Sequence, residues 1–499
     1  MPPPDRNQLF HRLLHWAVAR YHIENFGCRT SQADGDAIAA QMEGFGSFPS
    51  NGIEHADVVV VNTCTVTAEA DRDARAYIRR VLRKNPSSRI VVTGCYAQRA
   101  PEEIAQLPGV SAVIGNSHKN QVASVAVGAA AGISAGFVPL TALQSEHIAN
   151  PVRPFFLSGD IFAHSDFQLS SAPPSATARM TIGQSSHRTR PSLKIQDGCG
   201  NRCTFCIIPS IRGNSRSMPP HRVLEEIQAF VESGGKELVL SGINLGRWGR
   251  DLSPQNRFED LLAEILETTK LPRIRISSVE PMDWTDGLIA LLARWSAEEQ
   301  HPQSHPQSHP QSHPRLARHV HMPLQSGSDS VLRRMHRRYR PWHYAERLAK
   351  VHAAAPLAAL GADVMVGFPG ETAAEFQETY DFIANQPFTY LHLFPFSARP
   401  GTAAWELHRQ DAVSGVAVRE RMTALRRLID QKNMAFRSTF IGRELSAVTL
   451  ISPQPSGTST ALTDNFLPVE LDGAFPANSL VTVRVSATAA HGLSGICIA

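Results

Sequence analysis

The sequence predicts an α/β protein in three parts: a doubly wound N-terminal α/β domain, a central series of βα units forming a full or partial parallel barrel, and a small C-terminal antiparallel β-barrel. Three observations predict this. Between residues 20 and 116, apolar runs of strand length alternate with helix-like segments. The alternation resumes at residue 192 and continues for about 230 residues, the extent of a parallel barrel. From about residue 440 the pattern changes to short strands of alternating character. A chain of 499 residues is long enough for several domains with sizeable cores.

In chain order, Arg20–Cys28 reads as the first strand. Asp57–Cys64 holds four consecutive valines and reads as a parallel strand buried on both faces. A helix-like segment follows over 68–84, then a strand over Arg89–Cys95, a helix-like segment over 101–107 and a short strand over Ala112–Asn116. Such a sheet binds ligands beyond the carboxyl ends of its strands. Cys28, Cys64 and Cys95 all stand at those ends, 36 and 31 residues apart, a spacing that suits successive βα units. They either converge on one three-thiolate site or are three separate core residues.

The central region supplies strands over Glu237–Gly242, Arg273–Ser278, His319–Met322, Gly361–Gly367 and Leu391–Pro395, with helix-like segments between them. Just after the region begins stand Cys199, Cys203 and Cys206, in the pattern Cys-x3-Cys-x2-Cys. Soft thiolates suit iron, and three of them can hold one face of a cubane cluster. With no fourth cysteine nearby, one iron of such a cluster stays open to a substrate or cofactor. The alternative for the same spacing is a zinc or purely structural site. The closing strands are Glu444–Leu450, Leu467–Leu471, Leu480–Val485 and Gly495–Ile498.

Bulk properties narrow the class. The net charge is only +4, so the chain is not a general polycation. Its basic residues are local, with Arg72, Arg75, Arg79, Arg80, Arg83 and Lys84 on one helix and Arg333, Arg334, Arg337, Arg338 and Arg340 on another segment. Each cluster reads either as a footprint for a polyanion or as a solvated helix face. Seven cysteines in so long a chain are not a disulfide framework; two sets of three argue for metal chemistry in a reducing cytoplasm, with Cys497 left to pack in a core. The N-terminus lacks a signal pattern. Residues 120–145 are uncharged but built from Ala, Gly, Ser and Val, which suits a small-residue helix running into a linker rather than a membrane span. Residues 131–188 read as that linker, and the His-Pro-Gln-Ser repeats of 301–314 as an exposed insertion, since their prolines forbid a histidine-faced helix.

From about residue 21 onward the chain resembles the radical S-adenosylmethionine (SAM) methylthiotransferases. The resemblance rests on Gly27-Cys28-Arg29, Val61–Cys64 and Thr93–Cys95; on Gln196–Pro209 with Arg212, Gly213, Arg216 and Ser217; and on Leu324–Ser328, Val366–Glu371 and Phe394–Thr402. The stretch Arg275–Pro281, with its Ser277-Ser278-x-Glu280-Pro281, resembles the branch acting on N6-threonylcarbamoyladenosine in tRNA. Ser31, Gly200 and Phe205 depart from the residues usual in the family, and none of these departures removes a thiolate.

The resemblance implies an N-terminal extension over 1–20, a methylthiotransferase domain over 21–130, the linker, a radical SAM domain over 189–430 and an RNA-binding TRAM barrel over 431–499. It implies two 4Fe-4S clusters, one on Cys199, Cys203 and Cys206 and an auxiliary one on Cys28, Cys64 and Cys95. The first would cleave SAM reductively to a radical that takes hydrogen from C2 of the adenine; the second would deliver sulfur there; a second SAM would methylate it. Phe205, Gly242, Asn244, Ser277 and Gly367 are the implied SAM contacts, and no protein residue is singled out as catalytic. Arg212 is a candidate for a SAM carboxylate or a phosphate, and Glu280 for the threonyl amide. The implied partners are tRNA, an electron donor such as a flavodoxin, and a sulfur donor the sequence does not name. Methylthiolation of isopentenyladenosine or of a ribosomal-protein aspartate, and a non-enzymatic RNA-binding iron–sulfur protein, are the rival readings.

Overall fold

The computed structural model describes residues 19–128, 154–163, 167, 189–297, 313–451 and 457–498. Most of the expected linker, the repeats over 301–312 and nearly all of the N-terminal extension lie outside these residues. The described chain divides into two compact units. One holds residues up to 167 together with Gly198–Gly200 and Ile207–Asn214; the other holds the rest.

The first unit is built on a parallel sheet of β1 (Arg20–Asn25), β2 (Phe48–Pro49), β3 (Val58–Thr63), β4 (Arg89–Gly94), β5 (Val110–Gly115) and β6 (Phe155–Leu157), in the order β2-β1-β3-β4-β5-β6. Side chains alternate across a strand. Val58 and Val60 accordingly pack with Ile38, Met42 and Val122, while Val59 and Val61 pack with Ala74, Ile78 and Val81. Helices cover both faces, which is why β3 is valine throughout its first four positions. Helix Ala68–Lys84 starts where Thr67 accepts a hydrogen bond from the Ala70 amide. Helix Arg29–Gly44 carries no clear apolar period, because its buried face includes Thr30, Ser31, Asp34 and Gly35. The sequence reading has no helix there for that reason.

In the second unit, β7 (Ser192–Asp197), β8 (Arg216–Ser217), β9 (Glu237–Gly242) and β10 (Arg273–Ile276) form one sheet, and β11 (His319–His321), β12 (Ala359–Val366) and β13 (Tyr390–Pro395) form another. Parallel bridges Ile274–Leu316 and Ser278–His321 join them into one row, β7-β9-β10-β11-β12-β13, with β8 antiparallel on β7. This is a partial parallel barrel. Helix Gly415–Ser438 packs on β12 and β13.

The closing barrel is β14 (Glu444–Thr449), β15 (Thr458–Thr463), β16 (Pro468–Asp472), β17 (Leu480–Ala489) and β18 (Gly492–Cys497), closed in the order β14-β15-β16-β18-β17. It has five strands where the sequence suggests four, because β15, Thr-Ser-Thr-Ala-Leu-Thr, is mostly hydroxyl residues. Five strands cannot alternate in direction all the way round a closed barrel, so one pair must be parallel; it is β16 and β18. Cys497 packs against this barrel's core. Among the described residues no helix is long and apolar enough to cross a membrane.

Candidate metal centres and cofactor site

Cys28, Cys64 and Cys95 follow three neighbouring strands, β1, β3 and β4, at their carboxyl ends. Gly27 makes their approach possible. Its φ is +105°, and a Cβ there would stand 2.8 Å from Cys64 Cβ and 3.0 Å from its sulfur. Each sulfur has a hydrogen-bonding neighbour: Ser31 Oγ at 3.8 Å from Cys28, the Val66 amide at 3.5 Å from Cys64 and Asn116 Nδ2 at 3.7 Å from Cys95. Burial, then the neighbouring Cys95, pushes the Cys64 thiol up to about 12, with Cys28 adding to the effect. A thiol raised in this way gives up its proton to a metal rather than to water. Three thiolates beyond neighbouring strand ends suit a cubane iron–sulfur cluster.

Beneath these cysteines lies a buried charge group. Asp34 is fully buried and pairs with Lys119 Nζ at 2.5 Å and Arg212 Nη2 at 3.1 Å. Arg212 also reaches Ser31 Oγ at 3.4 Å and favours the Cys64 thiolate. It is 1% exposed, so the expectation that it holds a SAM carboxylate or a phosphate gives way to an internal role. Sequence reasoning missed Asp34, Lys119 and Asn116, which no local pattern marks.

Cys199 is fixed by its amide, which donates to Gly213 O at 3.0 Å. Gly198, with φ +73°, brings the chain so near Asn214 O that a Cβ would overlap that oxygen. At Gly200 a Cβ meets nothing within 4 Å. Gly198→Ala is therefore expected to lower bound iron after reconstitution, toward about half of wild type if it holds two clusters. Gly200→Ala should match wild type; equal iron in both variants would refute the assignment.

Cys203 and Cys206 are joined by a turn in which the Cys206 amide donates to Cys203 O at 3.1 Å. Thr204 anchors that turn, donating from its amide to Met335 O at 3.2 Å and from Oγ1 to Arg334 O at 2.9 Å. Arg337 Nη1 donates to Cys203 Sγ at 3.3 Å, its Nη2 to Glu280 Oε2 at 2.5 Å and its Nε to Tyr339 Oη at 3.1 Å. A hydrogen bond of this kind orients the sulfur that would meet an iron. Arg337 thus pairs with Glu280 through Oε2. Phe205 is half-buried in the same turn.

The other expected SAM contacts gather at one end of the parallel row. Gly242 ends β9, Ser277 follows β10 by one residue and Gly367 follows β12 by one. The Asn244 amide donates to Gln196 Oε1 at 2.7 Å, and Ser277 Oγ is buried with no hydrogen-bond partner, as a group awaiting a ligand would be. In the basic segment 333–340 several arginines face carboxylates, while Arg333 and Arg338 stay exposed. Besides Arg337, Arg333 faces Asp329 at 2.8 Å, Arg334 faces Glu375 at 2.7 Å and Arg340 faces Asp329 at 3.3 Å. On helix Ala68–Lys84, Arg79, Arg80 and Arg83 are exposed.

The uncharacterized protein family UPF0004 matches residues 20–115, and the radical SAM superfamily matches residues 193–296 and 311–383. The threonylcarbamoyladenosine tRNA methylthiotransferase MtaB of Bacillus subtilis is 35% identical over 460 residues, which covers 91% of this chain and 91% of that one. The chain belongs to the radical SAM tRNA methylthiotransferase family. As a methylthiotransferase of this family it is an enzyme, and SAM with a 4Fe-4S cluster is its family's equipment. A second relative, the MtaB protein of Aquifex aeolicus, is 31% identical and covers 93% of this chain and 99% of its own. The tRNA-2-methylthio-N(6)-dimethylallyladenosine synthase of a Parafrankia species is 34% identical, covering 86% of this methylthiotransferase and 77% of the relative. Among solved structures, the radical S-adenosylmethionine methyltransferase TsrM from Kitasatospora setae has a TM-score of 0.52 at 15% identity, covering 76% of this chain and 73% of that one. That likeness concerns the fold.

Proposed function

We propose that this enzyme methylthiolates C2 of N6-threonylcarbamoyladenosine beside the anticodon of tRNA, using two SAM molecules and two 4Fe-4S clusters in the cytoplasm. The observation that carries the reading is similarity along nearly the whole chain to relatives named for that nucleoside, 35% and 31% identical. The branch motif Ser277-Ser278-x-Glu280-Pro281 supports it. The dimethylallyladenosine reading is the second, because relatives named for that product reach 34%.

Bound SAM and the clusters would supply the radical and the sulfur. The chain's own residues would do the rest. Cys199, Cys203 and Cys206 would hold the SAM-cleaving cluster, with Arg337 donating a hydrogen bond to the Cys203 sulfur. Cys28, Cys64 and Cys95 would hold the auxiliary cluster, its sulfurs hydrogen-bonded by Ser31, Val66 and Asn116. Phe205, Gly242, Asn244, Ser277 and Gly367 would line the SAM site. A flavodoxin-type protein is the electron donor we propose. Deleting the gene is expected to remove 2-methylthio-N6-threonylcarbamoyladenosine from tRNA nucleosides measured by mass spectrometry and to leave 2-methylthio-isopentenyladenosine unchanged. Loss of the isopentenyl product instead would move the enzyme to the second reading.

A further inference from the structure

Three strands of the partial barrel present a set of side chains that the proposed chemistry does not use. The β12–β13 register sets Asp363 opposite His392, and β11 ends at His321, opposite Gly361. Asp363 Oδ1 lies 3.4 Å from His321 Nε2 and 3.3 Å from His392 Nδ1, so two imidazoles converge on one carboxylate oxygen. Among the described residues this is the one group of three His, Cys, Asp or Glu whose ligand atoms all lie within 4.8 Å of one another.

We propose that His321, Asp363 and His392 bind a divalent transition-metal ion, distinct from the cysteine-held iron, with coordination positions left open to an oxygen ligand of the substrate.

The donor chemistry supports a metal of zinc or ferrous type. Two imidazoles and one carboxylate suit borderline ions, and three protein ligands leave positions open. The surroundings fix the ligands as metal sites do. Ser278 Oγ lies 2.5 Å from His321 Nδ1, which orients the ring and leaves Nε2 toward Asp363. His321 Nε2 is buried yet lacks an aligned hydrogen bond, although Asp363 stands within ion-pair range. Tyr390 stacks on His321 with centroids 5.9 Å apart and planes 16° apart, and its hydroxyl meets His319 Nε2 at 2.7 Å, which stiffens the floor beneath the trio. His392 is 60% exposed, so one side stays open to an incoming ion and ligand. The open positions would suit a carboxylate, and that part of the inference rests on the threonylcarbamoyl reading.

The test uses the full chain with its clusters reconstituted, so that the cysteines are occupied. After equilibration with zinc and desalting, wild type is expected to hold one zinc per chain above its iron. His392→Ala, at an exposed position, and Asp363→Asn should lose that zinc with iron content and circular dichroism unchanged. Ser278→Ala should weaken zinc binding by about tenfold. Zinc-edge X-ray absorption should show nitrogen and oxygen ligands at about 2.0–2.2 Å and no sulfur. No zinc uptake, equal uptake in His392→Ala, or a sulfur-containing shell would overturn the site. Added threonylcarbamoyladenosine nucleoside should alter the zinc edge while adenosine does not; an unaltered edge would overturn the substrate contact. The zinc measurements need no tRNA, so an error in the proposed nucleoside leaves them intact.

Discussion

Replacing Cys199, Cys203 and Cys206 together by Ala is expected to abolish SAM cleavage by the reduced protein and to remove about half of its iron. The two effects have different origins. Iron falls by half because each three-cysteine set supplies its own thiolates, and the second set stands on other strands. Cleavage disappears altogether because SAM needs an iron with an open position, and only the loop containing these three cysteines lies in the segment matched by the radical SAM superfamily. The matching variant, with Cys28, Cys64 and Cys95 changed to Ala, should also lose about half of the iron yet still cleave SAM, while forming no methylthiolated nucleoside. Iron analysis, product chromatography for 5′-deoxyadenosine and nucleoside mass spectrometry read the three quantities separately. Full iron in either triple variant, or cleavage surviving in the first, would sink the two-cluster reading.

Much of this was legible in the sequence because the relevant signals are short-range or periodic. The four valines of β3 announce a strand buried on both faces, and the predicted helix over 68–84 is the observed helix Ala68–Lys84. Strand-end positions follow from strand positions, so the convergence of Cys28, Cys64 and Cys95 on neighbouring strands was open to inference across long gaps in sequence. What was not legible depends on pairing across the fold. Nothing local marks Asp34 as the partner of Lys119 and Arg212, or Glu280 as the partner of Arg337. Nor can a one-dimensional charge count show which arginines of 333–340 face carboxylates, as Arg334 and Arg337 do. His321, Asp363 and His392 escaped for the same reason: they are single polar residues on three strands, and only the register unites them.

The closing barrel gives the largest expected effect on stability. Buried charges tie this barrel to the parallel row. Arg275 donates to Thr463 O at 3.0 Å and to Asp464 O at 3.1 Å, Arg273 reaches Ser446 Oγ, and Arg318 makes a two-pronged pair with Asp464, at 2.5 and 3.1 Å. One carboxylate organises the row's side of this contact. Glu237, fully buried at the start of β9, lies 2.8 Å from Arg275, 3.5 Å from Arg273 and 3.3 Å from Arg190. Glu237→Ala would leave buried guanidiniums without their anion, and is expected to cost about 3–5 kcal/mol. Glu237→Gln, which keeps the shape but not the charge, should also destabilise strongly. Acid should reproduce the effect. Burial raises the Glu237 carboxyl, but Arg275, Arg273 and Arg190 outweigh it and hold it at about 2, against an ordinary 4.5. A carboxyl whose folded value is depressed stabilises fully above its unfolded value and loses that contribution as pH falls toward the folded one. The gap in urea midpoint between wild type and Glu237→Gln, followed by tryptophan fluorescence, should therefore hold steady above about pH 5 and close as the pH drops from about 4.5 toward 2. A gap that stays constant across that window would show that Glu237 is not the ionised anchor of the barrel.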